Sequence, residues 1–222
     1  MAVWRGQYDG NSYVGLYAKA SDQLCIVPRG APEKFLRGAS ALGAPLLRAS
    51  IDGSPYVGLY LAMNSNGILA PSFLSAEERQ ELEGSGLKVG ILRDSRFSAL
   101  GNNVACNDRG ALLNPGMHHE DVKLAEKILG VPVRQATVAG YHTPGSCLVA
   151  TNKGWLAHNR ITPDEGAMLE ELFGSPGLNG TTNMGSAFVG IGAVANSKGL
   201  IVGESSSGFE ESRITQALDL VG

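Results

Sequence analysis

The chain has 222 residues, 43% of them hydrophobic, and its 18 basic against 21 acidic side chains give a formal net charge of −3. That is enough apolar material for a substantial core, in one large domain or two small ones, and the slightly acidic balance without a Lys/Arg run excludes a protein that tracks long nucleic acid. Thirty glycines, about twice the ordinary share and without collagen periodicity, point to many turns or to close backbone packing.

In chain order, "AVWRGQ" (2–7) reads as a strand with no counterpart beside it. "YVGLYAKA" (13–20) is strand-like around Gly15, and "AKASDQLCIVP" (18–28) reads as a turn and a strand. A helix over 32–42 puts Phe35, Leu36, Ala39 and Leu42 on one face, and "PLLRAS" is a further strand. The pattern then returns. "YVGLYLAM" carries Gly58, "AMNSNGILAP" repeats the turn and strand, and Ser75 to Glu78 forms a capping box for a charged helix to about 84, before "LKVGIL". The third round is "SALGNNVA" with Gly101, "ACNDRGALLNP", a helix over 119–129 with Val122, Ala125, Ile128 and Leu129 on one stripe, and "VPVRQATV". The fourth has "GSCLVA", with Ser146 in the glycine's place, then "ATNKGWLAHN". Thr162, Pro163 and Glu165 open a helix lined by Met168, Leu169, Leu172 and Phe173, and a strand lies near "LNGTTN". The fifth has "AFVGIGAV" with Gly190, "AVANSKGLIVG", and a helix with Ile214, Ala217, Leu218 and Val221 at helical spacing.

The turn glycines Gly67, Gly110, Gly154 and Gly199 are spaced 43, 44 and 45 apart. A fixed period of this size is the mark of a repeat architecture. The fifth helix has no strand after it, and the first strand has no repeat before it. Ring closure by the N-terminal strand resolves both, giving a single α/β domain of five β-β-β-α units, roughly 1–44, 45–87, 88–130, 131–175 and 176–222. The polar capping repeats of an open array are missing. Strands converging on an axis favour Gly and Ala, so Gly101 is read as relief of crowding and Gly110 as a tight turn. Asn64, Asn107, Asn152 and Asn196 recur in the turns, where Asn bonds its own backbone.

Cys25, Cys106 and Cys147 are widely spaced and odd in number, which excludes a full disulfide framework and fits a reducing setting. No apolar run approaches the roughly 18 residues of a membrane helix, and the start lacks a secretion signal. The expectation is a cytoplasmic protein. Gly190 to Ala195 matches G-x-G-x-x-A, but a turn and strand follow where a dinucleotide site needs a helix. His118 and His119 precede Glu120 and Asp121 at a helix start, where the dipole favours the acids; this reads as a solvated N-terminus rather than a metal site. His142 and His158 stand alone as turn residues.

Ser98 to Asn102, Cys106 to Asp108, Val133 to Ala139, Thr151 to Asn159, the opening "MAV" and "ASIDGSPYVG" together resemble the translation initiation factor 6 family, across the whole chain. The chain stops just after the fifth helix and lacks the polar extension of eukaryotic members, so it looks archaeal. The resemblance implies the pentein fold, a five-bladed ring with pseudo-fivefold symmetry. It implies binding to the large ribosomal subunit on its intersubunit face, against a ribosomal protein and near the sarcin-ricin loop of the rRNA, with small-subunit joining blocked. It also implies release by a machinery that includes a GTPase, and a part in subunit maturation. No enzyme activity, cofactor, metal, DNA or membrane is expected, and the protein is expected to be a monomer. The family's contact surface lies around the segment that holds the repeat glycine. Asn102 matches the motif residue for residue and is the first candidate for a ribosome contact. Leu16, Leu59, Cys147 and Phe188 follow by repeat position, although many members have a basic residue where Leu59 stands. The alternative within the same fold is a guanidine-modifying hydrolase with a Cys nucleophile; its nucleophile sits in the last blade, and here no Cys follows Cys147. A further alternative is a scaffold for another partner.

Overall fold

Each blade begins as a short hairpin whose second strand runs on into a helix that returns a third strand beside it. Blade one is β2 (Lys19–Ala20), β3 (Cys25–Pro28), α1 (Glu33–Ser40) and β4 (Leu46–Ala49). Blade two is β5 (Ala62–Met63), β6 (Gly67–Pro71), α2 (Ala76–Glu83) and β7 (Lys88–Leu92). Blade three is β8 (Val104–Cys106), β9 (Ala111–Leu113), α3 (His119–Leu129) and β10 (Val133–Gln135). Blade four is β11 (Leu148–Ala150), β12 (Trp155–His158), α4 (Pro163–Phe173) and β13 (Gly177–Gly180). Blade five is β14 (Ala193–Ala195), β15 (Gly199–Gly203) and α5 (Gly208–Ala217), and its third strand is β1 (Ala2–Gly6).

This is a computed structural model that describes residues 2–221; Met1 and Gly222, the outer ends of the first and fifth expected units, lie outside the described residues. Each three-stranded sheet pairs its hairpin antiparallel and its outer strand parallel, as a crossover helix requires. β1 pairs parallel with β15 from Ala2↔Gly199 to Gly6↔Gly203, so the N-terminal strand closes the five-bladed ring of the pentein fold. The middle strands are buried throughout, which is why they read as continuous apolar runs rather than as alternating ones.

The core lies between blades, not within them. Five apolar clusters each join residues of neighbouring blades; Val194 and Ile201 of blade five, for example, pack with Val14, Val27 and Phe35 of blade one. A single blade could not bury its own apolar face. The joints are also latched. The third helical residue of α2, α3, α4 and α5 is Glu78, Asp121, Glu165 and Glu210; Glu78, Asp121 and Glu210 each accept two backbone N–H groups, and Glu165 one, from the turn that ends the preceding blade. In α1 that position is Phe35, which packs edge-on against Trp4 and Tyr8 at 6.1 and 5.3 Å, so aromatic packing holds the closing strand.

Several expectations change. The segments holding Gly15, Gly58, Gly101 and Gly190 are not strands but single helical turns, Val14–Leu16, Val57–Tyr60, Leu100–Asn103 and Val189–Gly192, with Pro144–Cys147 as the fourth copy. Their buried positions are adjacent pairs such as Val57 and Gly58, a pattern that period-2 reading cannot represent. The fourth copy's glycine is Gly145, not Ser146. Gly110 closes the tight turn read for it, its carbonyl accepting the Asn107 N–H at 3.1 Å, and it is a point of crowding as well, since a Cβ there would meet the carbonyl of Leu172 at the end of α4. Asp121 is a buried latch, not a solvated residue.

Candidate functional site

The two ends of the ring axis are built from different chemistry. At one end five glycines touch in a circle. A Cβ on Gly15 would strike the carbonyl oxygen of Gly190; on Gly58, that of Gly15; on Gly101, that of Gly58; on Gly145, that of Gly101; and on Gly190, that of Gly145. Backbone packs on backbone around the whole circle.

The residue after each glycine is Leu16, Leu59, Asn102, Ser146 and Ile191. Leu16, Leu59, Asn102 and Ile191 are half-buried. The side-chain amide of Asn102 makes no hydrogen bond among the described residues, whereas Ser146 is buried and donates its hydroxyl to the Thr143 carbonyl at 2.8 Å. Two residues before each glycine stand Tyr13, Tyr56, Ala99, Thr143 and Phe188. Tyr13 and Tyr56 are exposed, and Tyr141 beside Phe188 is exposed as well. The rim of this end carries the turns held by the latches. Asp9–Gly10, Asp52–Gly53 and Ala139–Gly140 all have positive φ, closing two-residue loops. Blade five's version presents Met184, 77% exposed, whose N–H is held by Glu210 of α5; Phe209, the residue before Glu210, is 83% exposed. This is a partly apolar face.

The opposite end satisfies itself. Asn64 donates to the carbonyls of Asn107 and Leu129, Asn107 to those of Thr151 and Phe173, and Asn196 to those of Ser21 and Leu42, at 2.9–3.1 Å. Each Oδ1 also closes its own turn, as Asn107 does with the N–H groups of Arg109 and Gly110. The turn role read from the sequence is present, but these side chains also join blades. In the fourth copy Thr151 takes the turn position. Asn152, one residue on, instead spans the mouth of the lumen, donating to Asp22 at 2.9 Å and Asp108 at 2.6 Å. Ser65 and Ser197 fill the outer sides of the same carboxylates.

Between the ends lies a cavity of about 40 Å³, room for a few waters, lined by inner-strand residues that include Lys19 and Cys106. Burial lowers the Lys19 pKa. Burial pushes the thiols of Cys25 and Cys106 up to about 12 and raises Cys147, the reverse of what a thiolate nucleophile needs. None of the three hydrogen-bonds a histidine among the described residues. His158 is buried at the end of β12, where burial and then Arg160 lower its pKa, and its Nδ1 accepts the Arg160 N–H. Among the described residues no three His, Cys, Asp or Glu gather as a metal site, and no helix is long and apolar enough to cross a membrane.

Of the residues singled out in the sequence, Leu16, Leu59 and Asn102 fall at one repeat position on the glycine end. Phe188 is half-buried on the same end but belongs to the position of Tyr13 and Tyr56. Cys147 is fully buried in the joint between blades three and four and presents nothing to a partner. One-residue slippage of the fourth copy, from Gly145 to Ser146, explains the shift of Cys147. Ile191, Tyr13, Tyr56, Tyr141 and Met184 were not picked out; the first three could have been found by carrying the glycine alignment two residues either way.

The model of the eIF-6 family matches residues 3–217. Translation initiation factor 6 of Methanosarcina mazei is 39% identical over 212 residues, covering 95% of each chain. The factor of Pyrococcus abyssi is 34% identical over 227 residues, covering 100% of each, and that of Thermoplasma acidophilum 33% over 209, covering 94% of this chain and 95% of that one. Among solved structures, a dimethylarginine dimethylaminohydrolase in adduct with S-methyl-L-thiocitrulline has a TM-score of 0.44 at 11% identity, covering 93% of this chain and 73% of that one.

Proposed function

The chain belongs to the eIF-6 family, and from that premise we propose that it is a translation initiation factor that binds the large ribosomal subunit on its intersubunit face and keeps the small subunit from joining. The glycine end is the binding face, with Asn102, Leu16 and Leu59 at its centre and Phe188 towards its rim. A ribosomal protein supplies the main contact, close to the sarcin-ricin loop rRNA, because an acidic protein with a partly apolar face gains more from a protein surface than from phosphates. Release by a GTPase machinery and a part in subunit maturation belong to the same reading. So do a cytoplasmic location and a monomeric, non-enzymatic mode of action. Blocking needs a rigid body and a complementary surface, not a reactive group.

The observation that carries this reading is the asymmetry of the axis. One end leaves partly exposed apolar side chains and a free amide around a tightly packed backbone ring, while the other turns its polar groups inward. The test is co-sedimentation with isolated archaeal large subunits, followed by a joining assay. The protein is expected to travel with large subunits and to reduce their joining to small ones in proportion to its concentration. Joining that is unaffected at saturating protein contradicts the proposal.

A further inference from the structure

A pseudo-fivefold face poses a problem for specific docking. If all five blades offered the same contacts, a partner could be met in five settings, each one-fifth of a turn from the next, with similar affinity. One setting wins only through a difference between blades. On the glycine end the apolar residues after the glycines are Ile191, Leu16 and Leu59, an arc over blades five, one and two; Ser146 in blade four has its hydroxyl occupied. Asn102 in blade three is then the one position in this circle with a free polar group among the described residues. The rim departs at the same blade. Blades one, two and four have two-residue turns of positive φ, and blade five a close variant. Blade three has instead the loop 93–98, which contains the helical turn Ser95–Phe97. That loop carries its own contacts: Arg96 donates to the Asp94 carboxylate at 2.6–3.2 Å, the Arg96 guanidinium lies 5.3 Å from the centre of the Phe97 ring, and Asp121 holds the N–H groups of Arg93 and Asp94.

We propose that Asn102 and the loop 93–98 set the rotational register of the ring on its partner. The inference rests on the reading that the glycine end docks on the large subunit. The apolar arc supplies affinity that tolerates rotation. Asn102 supplies a hydrogen bond that is satisfied in one setting and left buried without a partner in the other four, and the protruding loop clashes in those four. The partner therefore offers a hydrogen-bonding group opposite Asn102 and a recess opposite the loop, beside an apolar protein surface.

The experiment compares wild type with Asn102→Leu, and with a variant whose loop 93–98 is replaced by the Asp-Gly turn of blade two, each bound to archaeal large subunits and classified by electron cryomicroscopy for rotation about the ring axis. Wild type is expected in one setting. Asn102→Leu is expected to bind about 3- to 10-fold more weakly, the loss of roughly one hydrogen bond, and each variant is expected to populate at least one additional setting. Residue 102 is only half-buried, so the fold tolerates Leu; Asn102→Asp, close in size but without the donors, is expected to weaken binding to the same degree. Variants that keep wild-type affinity in the single wild-type setting overturn the inference. So does a loss beyond about 100-fold without rotation, since Asn102 would then carry affinity rather than register. Wild type that fails to bind, or binds by its other end, overturns the docking reading itself and this inference with it.

Discussion

The glycine end and the asparagine end stand on the same axis and repeat at the same period, yet they put their repeated residues to opposite uses. At the glycine end the repeated residue removes a side chain so that five backbones meet, and its neighbours are left facing outward. At the asparagine end the repeated residue adds a side chain that ties one blade to the next, and little is left unsatisfied. A motif that repeats to join blades, as the glycine does in all five copies and the asparagine in three, marks assembly. A position that varies around the ring, as Leu16, Leu59, Asn102, Ser146 and Ile191 do, is free to mark function.

The largest effect is expected at the glycine circle. Gly101→Ala drives a methyl into the carbonyl of Gly58, where only backbone can yield, and should destabilise by about 3 kcal/mol or more in urea unfolding. Gly166→Ala in α4, where a Cβ meets nothing, should stabilise by about 0.5–1 kcal/mol and serves as its control. Asn107→Ala comes next: it strips partners from two carbonyls and two N–H groups in a buried joint, for a loss of about 2–3 kcal/mol. Its stability should not recover with salt, since no ion pair is involved.

Glu210→Gln sharpens the picture at the rim. Burial alone would raise the Glu210 pKa, but the N–H groups of Ser207 and Gly185 and the hydroxyls of Thr181 and Ser207 outweigh it and hold the carboxyl down at about 2, against an ordinary 4.5. A depressed carboxylate contributes stability that is complete above the unfolded pKa and is lost as pH falls from about 4.5 towards 2. The wild-type melting temperature should therefore fall through that window more steeply than that of Glu210→Gln, while at neutral pH the variant should be less stable by about 1–2 kcal/mol. Glu78, depressed in the same direction against the same burial cost, adds to the acid sensitivity.

The smallest change in stability belongs to Leu59→Asp. It lies on the partly buried circle, so unfolding should shift by no more than about 1 kcal/mol. Large-subunit binding should nevertheless weaken by about 10-fold or more, because a carboxylate would be buried in an apolar contact. An equal loss of binding from a substitution at Asn64 or Asn196 that leaves the fold intact would break the division of labour between the two ends.

Much of this was legible in the chain itself. The period of the turn glycines fixes five blades, and the missing last strand demands closure by β1, because each is a matter of spacing along one chain. The capping boxes at Ser75 and Thr162 were readable for the same reason. What could not be read is what depends on neighbours. The inward helical turns look like strands because their burial is set by the adjacent blade rather than by a local period. Asn107 shows its own turn in the sequence but not the carbonyls of Thr151 and Phe173. Asp121 shows a helix start but not the turn it grips. Cys147 was placed on the face by a one-residue slip at Ser146, and the fully buried thiol shows how little margin a face assignment has in a ring this tightly packed.

The claim at the centre is that the glycine end docks and the asparagine end does not. A density map of the protein on an archaeal large subunit tests it directly. The account predicts that Leu16, Leu59 and Asn102 lie within contact distance of the subunit, while Asp22, Asp108 and Asn152 face solvent on the far side of the ring. A map with the Asp22–Asn152–Asp108 mouth against the subunit, or with the outer helices as the contact, would contradict it.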